Sequence, residues 1–254
     1  MRIIDAHAHL CRGDYGSLNV VLEQLDEAKI DQAVLVPGGM LDVRKMTKYI
    51  TGEEKAVTTE PPNDLVEDAM KRYPEKFFGF YCVDPHRGDP VVEEFREAAG
   101  RGFVGLKLAP TVHQFSLTSN TVLKLAELCG ELDLPFYSHT VYSPGASTKK
   151  MAYLAQTFPQ TKFIIGHMGF GPADVDAIQY TRENDNLYLE TSQGSYLIIK
   201  EALETLGSTK LIFGSEFPMY HPLPSLQTIL SLKCNEWELE NILSRNILRL
   251  INRA

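Results

Sequence analysis

The chain has 254 residues, 44% of them hydrophobic and 23% charged. That is enough apolar material for a sizeable core and excludes a disordered composition. The formal net charge of −8 argues against nucleic acid or an acidic membrane as a partner, since both demand clustered Lys and Arg.

The four cysteines, Cys11, Cys82, Cys129 and Cys234, lie far apart with no CxxC pair. This spacing suits reduced thiols better than a disulfide framework or a structural zinc knot. No apolar run approaches the roughly 20 residues needed to span a bilayer. Strand-like sequence begins almost at Met1, so no secretory leader is expected and the expected compartment is the cytoplasm.

Along the chain, short apolar runs rich in β-branched or aromatic residues alternate with helical stretches. Strands are predicted at 3–9, 32–36, 77–83, 104–108, 135–140, 162–167, 187–191 and 210–215, each bounded by Gly, Pro, Asp or Ser. Between them, sets such as Leu18, Val21, Leu22 and Leu25, or Val122, Leu125, Ala126 and Cys129, recur at helical spacing. Strand starts repeat at about 25–30 residues, the length of one βα unit. Eight units predict a single-domain (β/α)8 TIM barrel covering 1–254. An open doubly wound sheet is disfavoured, because no GxGxxG turn is present.

One connection is longer. Residues 37–62 carry Gly38, Gly39, Pro61 and Pro62 at their ends and Arg44, Lys45, Lys48 and Lys55 within. Loops after barrel strands border the active site, so this stretch is a candidate lid insertion. A last helix is expected over 236–251, burying Leu239, Ile242, Leu243, Ile247 and Leu250.

Chemistry collects at the strand ends. Asp5, His7 and His9 alternate along the first strand, which places them on one face. Alone, such a His–X–His pair reads as readily as two hydrogen-bonded core imidazoles. However, His139 ends the fifth strand, His167 the sixth, and Glu216 the eighth. Five ionisable groups converging on one barrel mouth by accident would be costly, which points to a metal ion. A set of mostly imidazole ligands favours zinc, one per chain, with manganese or iron(II) next.

The segments IIDAHAHL, GLKLAP, PFYSHT, FIIGHMG, LYLETS and GSEFP resemble the strand signatures of the amidohydrolase superfamily. The resemblance is to its amidohydrolase-related branch, which contains hydrolases and nonoxidative decarboxylases. It implies that His7, His9 and His139 ligate the metal, and that His167 orients or deprotonates water or polarises the substrate. Glu216 would ligate the metal and shuttle the proton. The family normally has Asp there, and the extra methylene moves the carboxylate by about 1.5 Å, against a metal–ligand tolerance of about 0.2 Å.

In two-metal relatives a lysine near Lys107 is carboxylated and bridges the ions. In single-metal members it is a substrate contact or a structural cation, and here it is expected to bind a substrate carboxylate or oxyanion beside one metal. Arg12 and Tyr142 are substrate-binding candidates by position, as are His113 and His221, while Glu190 could face the site or pack beneath it. The leading expectation is a metal-dependent hydrolase of a small ester, lactone or amide. The alternatives are a decarboxylase of an aromatic or unsaturated carboxylate, and a metal-binding relative whose turnover Glu216 has impaired. The expected partner is a small-molecule substrate, with a carboxylate as one option, and a homodimer is a candidate assembly because dimers are common among relatives. No GxSxG elbow is present.

Overall fold

The computed structural model describes residues 1–141, 144–171 and 173–253. All eight predicted strands are present among the described residues, one of them in two pieces, which makes nine: β1 (Ile4–Leu10), β2 (Gln32–Pro37), β3 (Phe77–Gly79), β4 (Tyr81–Cys82), β5 (Leu106–Leu108), β6 (Phe136–Ser138), β7 (Phe163–Ile165), β8 (Leu187–Glu190) and β9 (Leu211–Ile212). Every pairing is parallel, in two ladders, β1–β2–β3 and β4 through β9.

The third predicted strand is divided at Phe80. The Phe80 N–H turns back to Leu35 O at 2.9 Å, while Tyr81 N–H goes forward to Gly105 O at 2.9 Å. The chain thus changes partner at one residue, and its two halves join the ladders. At the other seam, Ala6 N–H donates to Phe213 O (2.9 Å), Glu216 N–H to His7 O (2.8 Å) and His9 N–H to Phe217 O (2.7 Å). These three bonds bring the end of the last βα unit against β1, where the metal-ligand candidates lie.

Side-chain alternation sorts the core into two layers. Ala33 and Leu35 of β2 pack outward among the helices, whereas Val34 and Val36 pack with Ile4, Ala6, Ile164 and Ile212 inside the ring. In β1 the alternation inverts. Ile4 and Ala6 belong to the inner cluster, but Ala8 and Leu10 belong to the outer one, and the register with β2 shifts between Asp5 and Ala8. Asp5 therefore does not share one regular face with His7 and His9. Its carboxylate accepts from His7 N–H (3.0 Å), Ser215 N–H (2.9 Å) and the Ser215 hydroxyl, and so fixes the turn that carries Glu216.

The expected final helix is interrupted. Glu236–Glu240 and Asn246–Leu250 are α-helical, and Asn241–Arg245 between them is a π turn. The cause is a single bond to the end of the last strand: Phe213 N–H takes the Ile242 carbonyl at 2.9 Å, which removes an acceptor from the helix ladder.

The 37–62 insertion contains a short turn, Val43–Lys45, and the helix Met46–Thr51. Two of its basic residues are held by neighbouring carboxylates. Arg44 is held by both oxygens of Asp42 (2.8 and 2.9 Å), and Lys45 by Glu54 at 2.7 Å. Among the described residues no helix is long and apolar enough to cross a membrane.

Candidate functional site

Two imidazoles of β1 are aimed at one point, and their partners fix which nitrogen does the aiming. The Nδ1 of His9 lies 3.2 Å from the Pro37 carbonyl, which can only accept. The Nδ1 of His7 lies 2.6 Å from the Tyr137 hydroxyl oxygen, whose own proton is given to Glu190 Oε2 at 2.7 Å. Both rings, when neutral, therefore carry hydrogen on Nδ1 and a lone pair on Nε2. The two Nε2 atoms stand 3.1 Å apart. Facing lone pairs at that distance repel, so either a proton or a metal ion belongs between them.

The spacing suits a metal ion. Nitrogens about 2.0–2.1 Å from one ion stand roughly 2.9–3.4 Å apart at octahedral to tetrahedral angles. Imidazole ligands whose far N–H is held by a carboxylate network or a carbonyl are the usual arrangement around such ions.

Glu216 completes the group. Its Oε2 lies 2.8 Å from His7 Nδ1 and 3.5 Å from His167 Nδ1, and its Oε1 lies 3.4 Å from His9 Nε2. The Oε2 atom is buried and receives no well-directed hydrogen bond, as expected of an oxygen reserved for a cation. His7, His167 and Glu216 have ligating atoms within 4.8 Å of one another. His167 and Glu216 sit at φ 62° and 64°, the left-handed region that disfavours residues with a Cβ. Backbone strain of this kind persists where the surrounding structure over-determines it.

Charge states follow from burial and neighbours. Burial raises the Glu216 carboxyl, but the pull of His7, His167 and His9 outweighs it and holds the group well below the usual range. Burial pushes His9 down, His139 well down and His167 to about 4, so all three are neutral lone-pair donors at pH 7. Burial also lowers His7, yet Glu216 and Glu190 overcome it and raise the ring above its ordinary value. Burial brings Lys107 down to about 8.

Of the residues singled out in the sequence, His7, His9, His167, Glu216 and Lys107 come together. Lys107 is buried, with Nζ 3.2 Å from His7 Nε2 and 3.8 Å from the Tyr137 ring centroid. His139 stands at the edge of the group. Its ring is 5.6 Å from that of His167, and its Nε2 is engaged by Thr111 N–H (3.2 Å) and the Thr111 hydroxyl (2.8 Å), which leaves Nδ1 as the nitrogen available to a metal.

Arg12 is placed elsewhere. It is exposed, pairs with both oxygens of Asp64 (2.8 and 2.7 Å) and does not line the cavity. Tyr142 lies outside the described residues. His221 caps the helix Pro222–Leu230, and His113 does not reach the cavity.

Glu190, open to either role on the sequence, is the anchor under the candidate metal group. It is fully buried and accepts from the Tyr137 hydroxyl, the Ser192 N–H and hydroxyl, and the His167 N–H (3.2 Å). Burial opposes its charge, but His7 and these donors hold it at about 2. Gly214 makes room for it, since a Cβ there would collide with Glu190 Oε1 and press on His7 Cβ at 3.0 Å. The strand-end position was visible in the sequence; the glycine across from it was the unused signal.

Above this floor lies a cavity of 480 Å³. Its walls include Met40, Leu41, Met46 and Ile50 of the insertion and Phe170 and Met219 opposite.

No curated protein matches the chain. Among solved structures, an uncharacterised TIM-barrel protein from Bordetella bronchiseptica aligns at 18% identity over 100% of this chain and 99% of its own, with a TM-score of 0.79. A probable 2-pyrone-4,6-dicarboxylic acid hydrolase from Acinetobacter baumannii, with citric acid bound, aligns at 19% identity over 99% and 100%, TM-score 0.71. A dihydroxybenzoic acid decarboxylase from a Polaromonas species, with manganese and 2-nitroresorcinol bound, aligns at 17% over 100% and 98%, TM-score 0.71. These likenesses show that the fold is a TIM barrel. The amidohydrolase family model matches residues 4–253, and the chain belongs to that family.

Proposed function

We propose that the protein is a metal-dependent hydrolase of a small ester, lactone or amide, acting through one divalent ion, zinc in first place. The observation that carries this reading is the 3.1 Å approach of His7 Nε2 and His9 Nε2 beside a buried oxygen of Glu216 that receives no well-directed hydrogen bond. His7, His9 and Glu216 would hold the ion, with His139 joining through Nδ1. A bound divalent ion supplies Lewis acidity and lowers the pKa of water toward neutrality.

The chain's own groups do the rest. Glu216, ionised at pH 7, accepts the proton of the attacking water and returns it to the leaving group. His167, neutral at pH 7, orients the carbonyl or the water by hydrogen bonding. Lys107 holds the developing oxyanion, and the 37–62 insertion serves as a lid that excludes bulk water.

Hydrolysis is preferred because the cavity suits an uncharged substrate. Among the described residues that line it, Lys107 is the sole Lys or Arg, and it already lies against His7. A hydroxybenzoate would bring a carboxylate into this space with little to pair it. The same lysine favours decarboxylation as the second reading, since an ammonium beside the metal group can hold one carboxylate.

Incubating the zinc-loaded protein with lactones and esters, and separately with aryl carboxylates, decides between them. Acid release from the first set is expected. Carbon dioxide release from the second set alone would overturn the hydrolytic reading.

A further inference from the structure

The cavity lining holds a polar set and an apolar one. Lys107, His9, His139, His167 and Glu216 belong to the first, whereas Met40, Leu41, Met46 and Ile50 of the insertion, with Phe170 and Met219, make up most of the second. Lys107 and Glu216 are the only Lys, Arg, Asp or Glu side chains among the described residues lining the whole cavity. The insertion's own arginine, Arg44, does not supply a cation to the wall, because Asp42 holds it in a two-point pair and its guanidinium lies 4.8 Å from the Tyr15 ring centroid.

Ile50 is 78% exposed at the mouth and Met219 41%. Apolar groups left open on a cavity rim mark a surface that an apolar ligand covers. Three of the wall residues are methionines, whose unbranched thioethers adapt to ligand shape.

We propose that the substrate is a monoacid derivative with an apolar acyl group. Its carbonyl lies on the polar floor, and its hydrocarbon portion runs up the insertion wall between Met46, Ile50, Phe170 and Met219. This rests on the hydrolytic reading and narrows it. A second carboxylate held against this wall would lose water with no Lys or Arg among the described lining residues beside it, so diacid derivatives are disfavoured. The insertion then sets specificity as well as covering the site. Met46 and Ile50 stand four residues apart in one helix, Met46–Thr51, and so present one face.

The test reads binding first. Zinc-loaded protein is titrated calorimetrically with acetate, butyrate, hexanoate and octanoate, and with octanedioate. Affinity is expected to rise about fourfold per added methylene, with octanedioate at least about tenfold weaker than octanoate. Ile50→Asp and Met46→Asp, both on a surface helix, are expected to lower octanoate affinity by about tenfold while leaving acetate within about twofold. Zinc content, measured in parallel, stays at the wild-type value.

A flat wild-type series, or octanedioate binding as tightly as octanoate, would overturn the proposal. So would equal losses for acetate and octanoate in the variants. The matching ethyl esters are then assayed for acid release. A steep binding series without ester hydrolysis would sink the hydrolytic reading and leave the apolar wall standing. Hydrolysis with a flat series would do the reverse.

Discussion

The Tyr137 hydroxyl gives its proton to Glu190 Oε2 at 2.7 Å and stands 2.6 Å from His7 Nδ1. This relay fixes the tautomer of His7 and points the lone pair of Nε2 toward His9. Neither Tyr137 nor Glu190 is assigned to the metal itself; both are positioning residues.

Tyr137→Phe removes the relay and leaves the ring's bulk in place. Divalent-metal affinity is expected to fall about 10-fold to 100-fold, the usual cost of losing such a support. Competition against a chromogenic chelator measures it, and an unchanged affinity would remove Tyr137 from the account.

Gly214→Ala places a methyl group against Glu190 Oε1 and His7 Cβ. The collision is with a buried carboxylate that has nowhere to move. A drop in melting temperature of several degrees is expected, consistent with the roughly 1–3 kcal/mol cost of overpacking a core, together with loss of stoichiometric metal. A variant with wild-type melting temperature and metal content would show that the packing around Glu190 is looser than described.

Much of this site was legible in the sequence because its parts sit at strand ends, where barrel topology alone brings them together. His7, His9, His167, Glu216 and Lys107 were found that way. Arg12 was proposed on proximity in sequence, but a side chain one residue past Cys11 turns outward, and Asp64 holds it there. The role of Glu190 is not legible in the sequence, because it depends on a gap opposite, at Gly214, which sequence periodicity does not encode. The strand boundaries came close for the same physical reason as the ligands, namely apolar alternation between breakers. The break at Phe80 and the π turn at Asn241–Arg245 arise from single backbone hydrogen bonds to distant elements, which no local pattern announces.

Metal affinity depends on pH with a definite sign. In the metal-free protein Glu216 and Glu190 raise His7 above its ordinary value, so a proton occupies a ligand that the metal needs neutral. Lys107, at about 8, adds repulsion while protonated. Affinity should therefore increase with pH through the neutral range and fall about tenfold per unit on the acid side of the His7 titration. His9, His139 and His167, all lowered, stay out of this competition until the solution is more acidic. Titrations at a series of pH values check the slope; an affinity that rose on acidification would contradict the assigned charge states.

Glu216→Gln keeps the shape and removes the charge and the basicity. Turnover of the best ester or lactone substrate is expected to fall by about 10²–10⁴-fold, the range for loss of a general base. Glu216→Asp shortens the reach and tests whether the longer acid suits this backbone. Retention of wild-type turnover by Glu216→Gln would exclude it as the proton acceptor.

The claim on which everything rests is that His7 Nε2 and His9 Nε2 face one cation. Elemental analysis of protein purified without chelator tests it most directly, with wild type set beside His7→Ala and His9→Ala of confirmed fold. About one equivalent of a divalent metal is expected in the wild type, and less than about a tenth in each variant, since each loses a direct ligand. Equal trace amounts in all three proteins would contradict the account.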